Sequence, residues 1–218
     1  MFKSVTRTWN PFVGCLFQCT YCWARRLAET KLKDSPRYRD GFQPKPVEEE
    51  LTRQFKPGEF VFVSDMGDIA WASRSWVVEI LERIMRFPQT DFLLQSKNPR
   101  KFSEWHLYVP ANVYLGTTIE TTEDYGFTKA PPPWERYLAL ASLRHPRKFI
   151  SIEPIMDFRL DLLTEWIEKI GPDIVEVGYD NYNNRLTEPK LDKTLELIQR
   201  IGQFTKVEKK TIRKAWDE

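Results

Sequence analysis

No stretch of this 218-residue chain approaches the roughly 18 consecutive apolar residues of a membrane-spanning helix. The opening Met1-Phe2-Lys3-Ser4 lacks the apolar core of a secretory signal. A cytoplasmic protein with no membrane association is therefore expected. Net charge is almost absent, since 33 Lys and Arg face 31 Asp and Glu to leave +2. That balance excludes binding of nucleic acid through bulk charge, although a local basic patch remains compatible with it. Sequence repeats and long linkers are missing, and the length suffices for one sizeable core, so a single domain over 1–218 is expected. Histidine is scarce, with only His106 and His145. Cysteine is scarcer than any disulfide framework requires: there are three, an odd number in one cluster, which suits a reducing compartment.

What is present is the spacing of those three residues, Cys15-x-x-x-Cys19-x-x-Cys22. A lone free cysteine is usually a small core residue. Three within eight positions, in a loop-like stretch with Asn10, Pro11 and Gly14, read instead as ligands. Thiolates favour iron–sulfur clusters, zinc or copper(I). Three of them leave one iron of a four-iron cluster open to chemistry. Structural zinc needs four closed ligands, so a histidine or a carboxylate would have to fold back onto the loop. A ferredoxin-type cluster normally takes four cysteines, and no cysteine remains for a second cluster.

Along the chain a short apolar strand, a polar loop and an amphipathic helix recur. Strands are expected at 4–9, 60–64, 92–96, 113–117, 149–153 and 174–178. Helices are expected from Trp23 towards Lys33, around Trp76 to Ile84, after Asn98-Pro99, around Trp134 to Ala141, around Leu162 to Ile170, and around Leu191 to Ile201. The stretch Asp34–Pro46 reads as an excursion or lid, and 203–218 as a peripheral basic tail. The second and third strands are almost continuous apolar runs, as in parallel strands buried on both faces. Six such units fit an α/β protein with parallel strands, a partial (β/α)6 TIM-like barrel, because a full barrel needs eight units and about 250 residues.

Active sites of such folds lie beyond the carboxyl ends of the strands, and polar residues gather there in all six units. The cysteine loop follows strand one. Ser64-Asp65-Met66-Gly67-Asp68, Ser96-Lys97-Asn98, Thr117-Thr118-Ile119-Glu120, Glu153-Pro154 and Tyr179-Asp180-Asn181 follow the others. Cys15-Leu16-Phe17-Gln18-Cys19-Thr20-Tyr21-Cys22, with an aromatic just before the third cysteine, resembles the cluster motif of radical S-adenosylmethionine (radical SAM) enzymes. Thr8-Trp9-Asn10-Pro11, Ser96-Lys97-Asn98-Pro99, Asn112-Val113-Tyr114-Leu115-Gly116 and Ile152-Glu153-Pro154 resemble one branch of them. That branch is a family of largely unknown function, found in phages and prokaryotes and related to spore photoproduct lyase. The resemblance runs from about Val5 to Asn181.

The resemblance implies that Cys15, Cys19 and Cys22 hold a [4Fe–4S] cluster whose open iron binds S-adenosyl-L-methionine. One electron, from a flavodoxin- or ferredoxin-type donor, would cleave the sulfonium to methionine and a 5′-deoxyadenosyl radical that abstracts hydrogen from a substrate. The protein's share is to hold cofactor and substrate in register. By motif, Tyr21 would pack near the adenine or the cluster. Ser64 and Asp65 stand where the superfamily has a Gly-Gly-Glu-like strand end that holds the methionine amino group. Lys97 matches a lysine suited to the methionine carboxylate through a charge-assisted hydrogen bond. Thr118 and Glu120 would bond ribose or methionine, and Glu153 and Asn181 would face the substrate or the adenosyl group. The kinship to photoproduct lyase and the basic run Arg25, Arg26, Lys31, Lys33, Arg37 and Arg39 point to a nucleic acid or nucleotide substrate. A solvated helix face is the plainer reading of that run, and acidic groups near helix starts the plainer reading of Glu120 and Glu153. A peptide or small metabolite is the alternative substrate. A zinc- or cluster-stabilised binding module without enzymatic activity is the alternative to catalysis.

Overall fold

Runs of β-branched and aromatic residues alternate with segments of helical period, and in the computed structural model, which describes residues 2–218, each run becomes a parallel strand. The strands β1 (Arg7–Trp9), β4 (Phe60–Val63), β5 (Asp91–Gln95), β6 (Val113–Thr118), β7 (Lys148–Ile152), β8 (Ile174–Val177) and β9 (Lys206–Lys209) form one seven-stranded sheet in that order. Two further strands, β2 (Phe12–Val13) and β3 (Lys45–Pro46), pair antiparallel with each other. Register is continuous across the sheet, with Val63 beside Leu94, Leu94 beside Leu115, Thr117 beside Ile150, Ile150 beside Val175 and Val175 beside Val207. Six helices cover the outside: α1 (Trp23–Glu29), α2 (Arg74–Met85), α3 (Arg100–Glu104), α4 (Pro133–Ser142), α5 (Leu160–Ile170) and α6 (Leu191–Ile201). Six strand–helix units plus a seventh strand make the curled half-barrel that the sequence leads one to expect.

The main core lies between sheet and helices. Val77, Ile80, Leu81 and Ile84 of α2, Leu163, Ile167 and Ile170 of α5, and Leu197, Ile198 and Ile201 of α6 pack on Val61, Leu94, Ile150 and Val175. These helix positions follow the i, i+3, i+4, i+7 stripe of a surface helix. The stop of α5 is chemical: Gly171 takes φ 61° and its N–H bonds the carbonyls of Ile167 and Glu168.

Four local expectations change. The seventh strand is the first: Lys206–Lys209 pair with β8 as the edge of the sheet, and beyond it Arg213 forms an ion pair with the buried Glu188, so 203–218 is packed on the fold rather than a peripheral tail. Second, α1 ends at Glu29 and not near Lys33, because the Thr30 hydroxyl back-bonds to the Arg26 carbonyl and the chain turns. Third, Asp34–Pro46 is a packed wall, not a lid. Tyr38 and Phe42 are buried with Val13, Ala24, Ala28, Val47 and Met66. Fourth, β4 is not buried on both faces. Phe60 and Phe62 are only partly covered, since a half-barrel has no opposite strands to fill its concave side.

The N-terminal segment fills part of that concavity. Phe2 stacks with its ring centre 5.1 Å from those of Phe62 and Phe149. Glu176, on β8 and fully buried, anchors it by accepting from Lys3 N and Ser4 N at 2.9 Å and from Ser4 Oγ at 2.5 Å. Hydrogen bonds to a charged group are worth about 1.5–3 kcal/mol net. Glu176→Gln is expected to lower stability by about that amount in urea titrations. It should also raise the hydrogen-exchange rates of the Lys3 and Ser4 amides. Unchanged exchange would show that the anchor does not hold the segment.

Candidate functional site

The cysteine loop is pinned by backbone before it is filled by side chains. Gly14 has φ 82°, and a Cβ there would sit 2.1 Å from the Gln43 carbonyl oxygen. A Cβ on Gly67 would lie 2.9 Å from Gly14 N and O. Only glycines permit this approach. It lets Gly14 N bond Met66 O at 2.9 Å and Asp68 N bond Gly14 O at 3.2 Å, while Cys15 N reaches Phe42 O at 3.2 Å. On the other side Thr20 N bonds Phe127 O at 2.9 Å and Lys129 N bonds Phe17 O at 2.6 Å. The loop is thus clamped between the end of β4, the wall before β3 and the segment after β6.

All three thiols are free, and all line one cavity of about 530 Å³ at the carboxyl ends of the strands. Each sulfur has a hydrogen-bond partner. Phe17 N–H donates to Cys15 Sγ at 3.4 Å, and Arg25 N–H donates to Cys22 Sγ at 3.3 Å, where Cys22 caps α1. Cys19 Sγ and Thr128 Oγ1 share a bond at 3.1 Å. Burial, and then the charge of Asp68, pushes the Cys15 thiol well up; burial also raises Cys22. Such thiols give up their protons to a metal and hold them otherwise. Sulfurs on one tetrahedral ion at about 2.3 Å would stand about 3.8 Å apart. Among the described residues no three His, Cys, Asp or Glu side chains converge as one ion requires. The donor set, three soft sulfurs each with a hydrogen-bond partner, fits an iron–sulfur cluster, whose sulfur ligands are tuned by such bonds.

Beside the loop stands a charge network of four elements. Tyr21 Oη donates to Glu120 Oε1 at 2.6 Å, Lys97 Nζ donates to the same oxygen and to Tyr21 Oη at 3.2 Å, and Arg136 Nη1 donates to Glu120 Oε2 at 2.7 Å. Arg136 Nη1 also reaches the Thr118 carbonyl at 2.7 Å. Burial pushes the Glu120 carboxyl up, but Arg136 and Lys97 outweigh it and hold the group well below the usual carboxylate range. Burial, and next Glu120, keeps the Tyr21 phenol protonated far above its ordinary value. A second buried carboxylate, Asp68, accepts from Ser96 Oγ at 2.6 Å, Lys97 N at 2.9 Å and Ala70 N at 2.9 Å. It thereby fixes the backbone that carries Lys97, although burial raises its own pKa against those bonds. Asp65 accepts from Asn10 Nδ2 at 2.7 Å, and burial raises it too. Gln95 donates to Thr118 Oγ1 at 2.8 Å, and its buried Oε1 has no partner.

Of the residues expected at the site, Cys15, Cys19, Cys22, Tyr21, Asp65, Lys97, Thr118, Glu153 and Asn181 line the cavity. Ser64 and Glu120 lie behind it. Ser64 is buried at φ 61° with an unpartnered Oγ, and Glu120 acts on the cavity only through Tyr21 and Lys97. Sequence reasoning did not single out Gln95, Arg136 or Lys210. For Arg136 a signal existed, because it sits on the stripe of Pro133 and Leu140 that α4 buries, whereas Trp134 and Leu138 of the same helix are half exposed. Of the basic run, Arg25 donates to Cys15 O at 3.0 Å and Arg37 pairs with Glu49 and Glu50. Arg26 reaches Asn184 at 2.6 Å, while Lys31, Lys33 and Arg39 are exposed.

Comparisons with known proteins follow the same lines. The family described as "Protein of unknown function (DUF5131)" matches residues 2–178. No curated protein matches the chain. Among solved structures, a spore photoproduct lyase variant is similar at 12% identity and TM-score 0.60, with 95% of this chain and 65% of that one covered. Another, carrying bound AdoMet and a dinucleoside spore photoproduct, is similar at 11% identity and TM-score 0.55, with 94% and 64% covered. A radical SAM methyltransferase from Sphaerobacter thermophilus is similar at 13% identity and TM-score 0.56, with 97% and 67% covered. The chain spans about two thirds of the length of these structures and shares their fold, that of the radical SAM superfamily.

The charge network predicts a stability pattern. Removing one partner of a buried pair costs about 3–5 kcal/mol, so Arg136→Met should lose that much in chemical denaturation. Adding Glu120→Gln to it should restore part of the loss. A carboxyl held low stabilises the fold fully above its unfolded value of about 4.3, and that contribution is lost progressively as pH falls from there through its lowered folded value. The wild type should therefore lose stability on acidification, and the double variant should lose less. Equal acid sensitivity would remove Glu120 from this role.

Proposed function

The chain belongs to the DUF5131 family of proteins of unknown function, and we propose that it is a radical SAM enzyme acting on a nucleotide or nucleic acid. Cys15, Cys19 and Cys22 would hold a [4Fe–4S] cluster, with S-adenosyl-L-methionine beside it. When bound, that pair supplies one-electron reduction of a sulfonium and homolysis of a carbon–sulfur bond. The observation that carries the reading is the loop itself: three sulfurs, each hydrogen-bonded, on one glycine-clamped turn at the mouth of a half-barrel.

The remaining residues bind and orient. The cavity wall carries four carboxylates, Asp65, Asp68, Glu153 and Asp180, against two ammonium groups, Lys97 and Lys210. An acidic wall suits a cosubstrate with a net positive charge. Asp65 and the free Gln95 Oε1 offer acceptors for an ammonium and for hydroxyls. Lys97, tethered by Glu120, offers a donor to a carboxylate, and Tyr21 and Trp23 offer aromatic faces. The exposed Lys31, Lys33 and Arg39 follow α1, whose Trp23 and Leu27 line the cavity, and they are the cations we assign to a nucleotide's phosphates. That assignment favours a nucleotide. It is also why we place a peptide or metabolite second. An electron donor of flavodoxin or ferredoxin type completes the reaction.

Anaerobically reconstituted protein should contain about four irons and four sulfides per chain. S-adenosylmethionine should perturb its paramagnetic resonance spectrum, and reduction should release 5′-deoxyadenosine. Cys22→Ala should cut that release by about a hundredfold or more. Asp65→Asn should weaken S-adenosylmethionine binding about tenfold or more, the range of a hydrogen bond to a charged group. Zinc without sulfide, or undiminished cleavage by Cys22→Ala, would refute the assignment.

A further inference from the structure

Lys210 lies beyond the matched residues 2–178, yet it reaches the cavity. Its N–H bonds Val177 O at 2.8 Å, which extends the ladder of β9 by one residue and turns the side chain inward. Lys210 Nζ donates to Glu153 Oε2 at 2.6 Å and lies 5.3 Å from the centre of the Phe2 ring. The pair packs on bare backbone, since a Cβ on Gly178 would come 3.1 Å from Lys210 Cβ and 3.4 Å from Glu153 Oε1. Both side chains are about 15% exposed, and both Phe2 and Phe62 line the same cavity with their rings 26° apart. Among the described residues no hydrogen bond reaches Glu153 Oε1, and none joins this group to the cysteine loop. In the cofactor reading above, Glu153 and Lys210 enter only through the charge of the wall.

We infer that Glu153 and Lys210, beside the partly exposed Phe62, form the substrate subsite, and that it takes a nucleobase. The two Nζ protons not given to Glu153 can donate to a ring acceptor, and Glu153 Oε1 can accept from the neighbouring ring donor. A nucleobase edge presents donor and acceptor side by side. A trans peptide points them in opposite directions. Stacking on an aromatic face together with hydrogen bonds to that edge is how proteins hold an unpaired base. A free phosphate or carboxylate is a poor occupant, because Glu153 already neutralises Lys210 and the rest of the wall is acidic. The inference rests on the reading of the chain as a nucleotide-directed enzyme and adds which part of the nucleotide enters and what meets it.

The test titrates uridine, thymidine, cytidine and guanosine into anaerobically reconstituted protein saturated with S-adenosylmethionine, by calorimetry. At least one nucleoside should bind, with its affinity falling about tenfold or more in both Lys210→Met and Glu153→Gln. Lys210→Arg, which keeps the donor and the charge, should bind within about threefold of wild type. Circular dichroism checks that each variant is folded. Should Lys210→Met not fold, Glu153→Gln and Phe62→Leu decide, each expected to weaken binding. Binding of no nucleoside, or undiminished binding in the folded variants, overturns the subsite. A preparation without iron and sulfide overturns the cluster assignment instead. Loaded protein that binds S-adenosylmethionine but no nucleoside overturns the subsite alone.

Discussion

Glu120 is a fully buried carboxylate, and the site is organised around keeping it ionised. Two cations and a phenol do this, from the end of β5, from α4 and from the cysteine loop. Each of those elements is thereby tied to the others with little freedom to drift. Burying a carboxylate costs several kcal/mol unless it is paired and its lone pairs are filled, so the penalty for a misplaced Lys97 or Tyr21 is borne by the whole fold. The result is a rigid ammonium and a rigid aromatic ring beside the three thiols. Preorganised polar groups of this kind need not reorganise when a ligand arrives.

The fold was legible because helices and buried parallel strands leave different periods in the sequence. The stripes of α2, α5 and α6 and the runs Phe60–Val63 and Phe92–Leu94 could be read directly. The seventh strand could not. Lys-Val-Glu-Lys is an edge strand, exposed at both ends, and backbone pairing holds it rather than apolar burial. The same reason hid Lys210. The cysteines and the strand-end polar residues were legible because chemistry at the carboxyl ends of strands demands unusual residue types there. Ser64 and Glu120 show the limit, since a residue type and a strand end do not say whether a side chain faces the cavity or supports one that does.

The placing of charge follows from the fold. α1 turns its apolar side, Ala24, Leu27 and Ala28, inward, while Arg25 reaches back to the Cys15 carbonyl, Arg26 reaches Asn184, and Lys31, Lys33 and Arg39 beyond its end are exposed. The strand ends point into the concavity and carry the carboxylates.

The cavity is closed by residues far apart in the chain, since its first thiol is Cys15 and its last wall is Lys210. Synthesis at about 5–20 residues per second separates their emergence from the ribosome by about 10 to 40 seconds. Throughout that interval the cysteine turn exists without β9, and the strands of the half-barrel are added beneath it one by one. Its sulfurs are then as open to oxidants as to any carrier that delivers iron. Enclosure comes last, so the three thiols are open to solvent early on the nascent polypeptide and are reached by a narrower route afterwards.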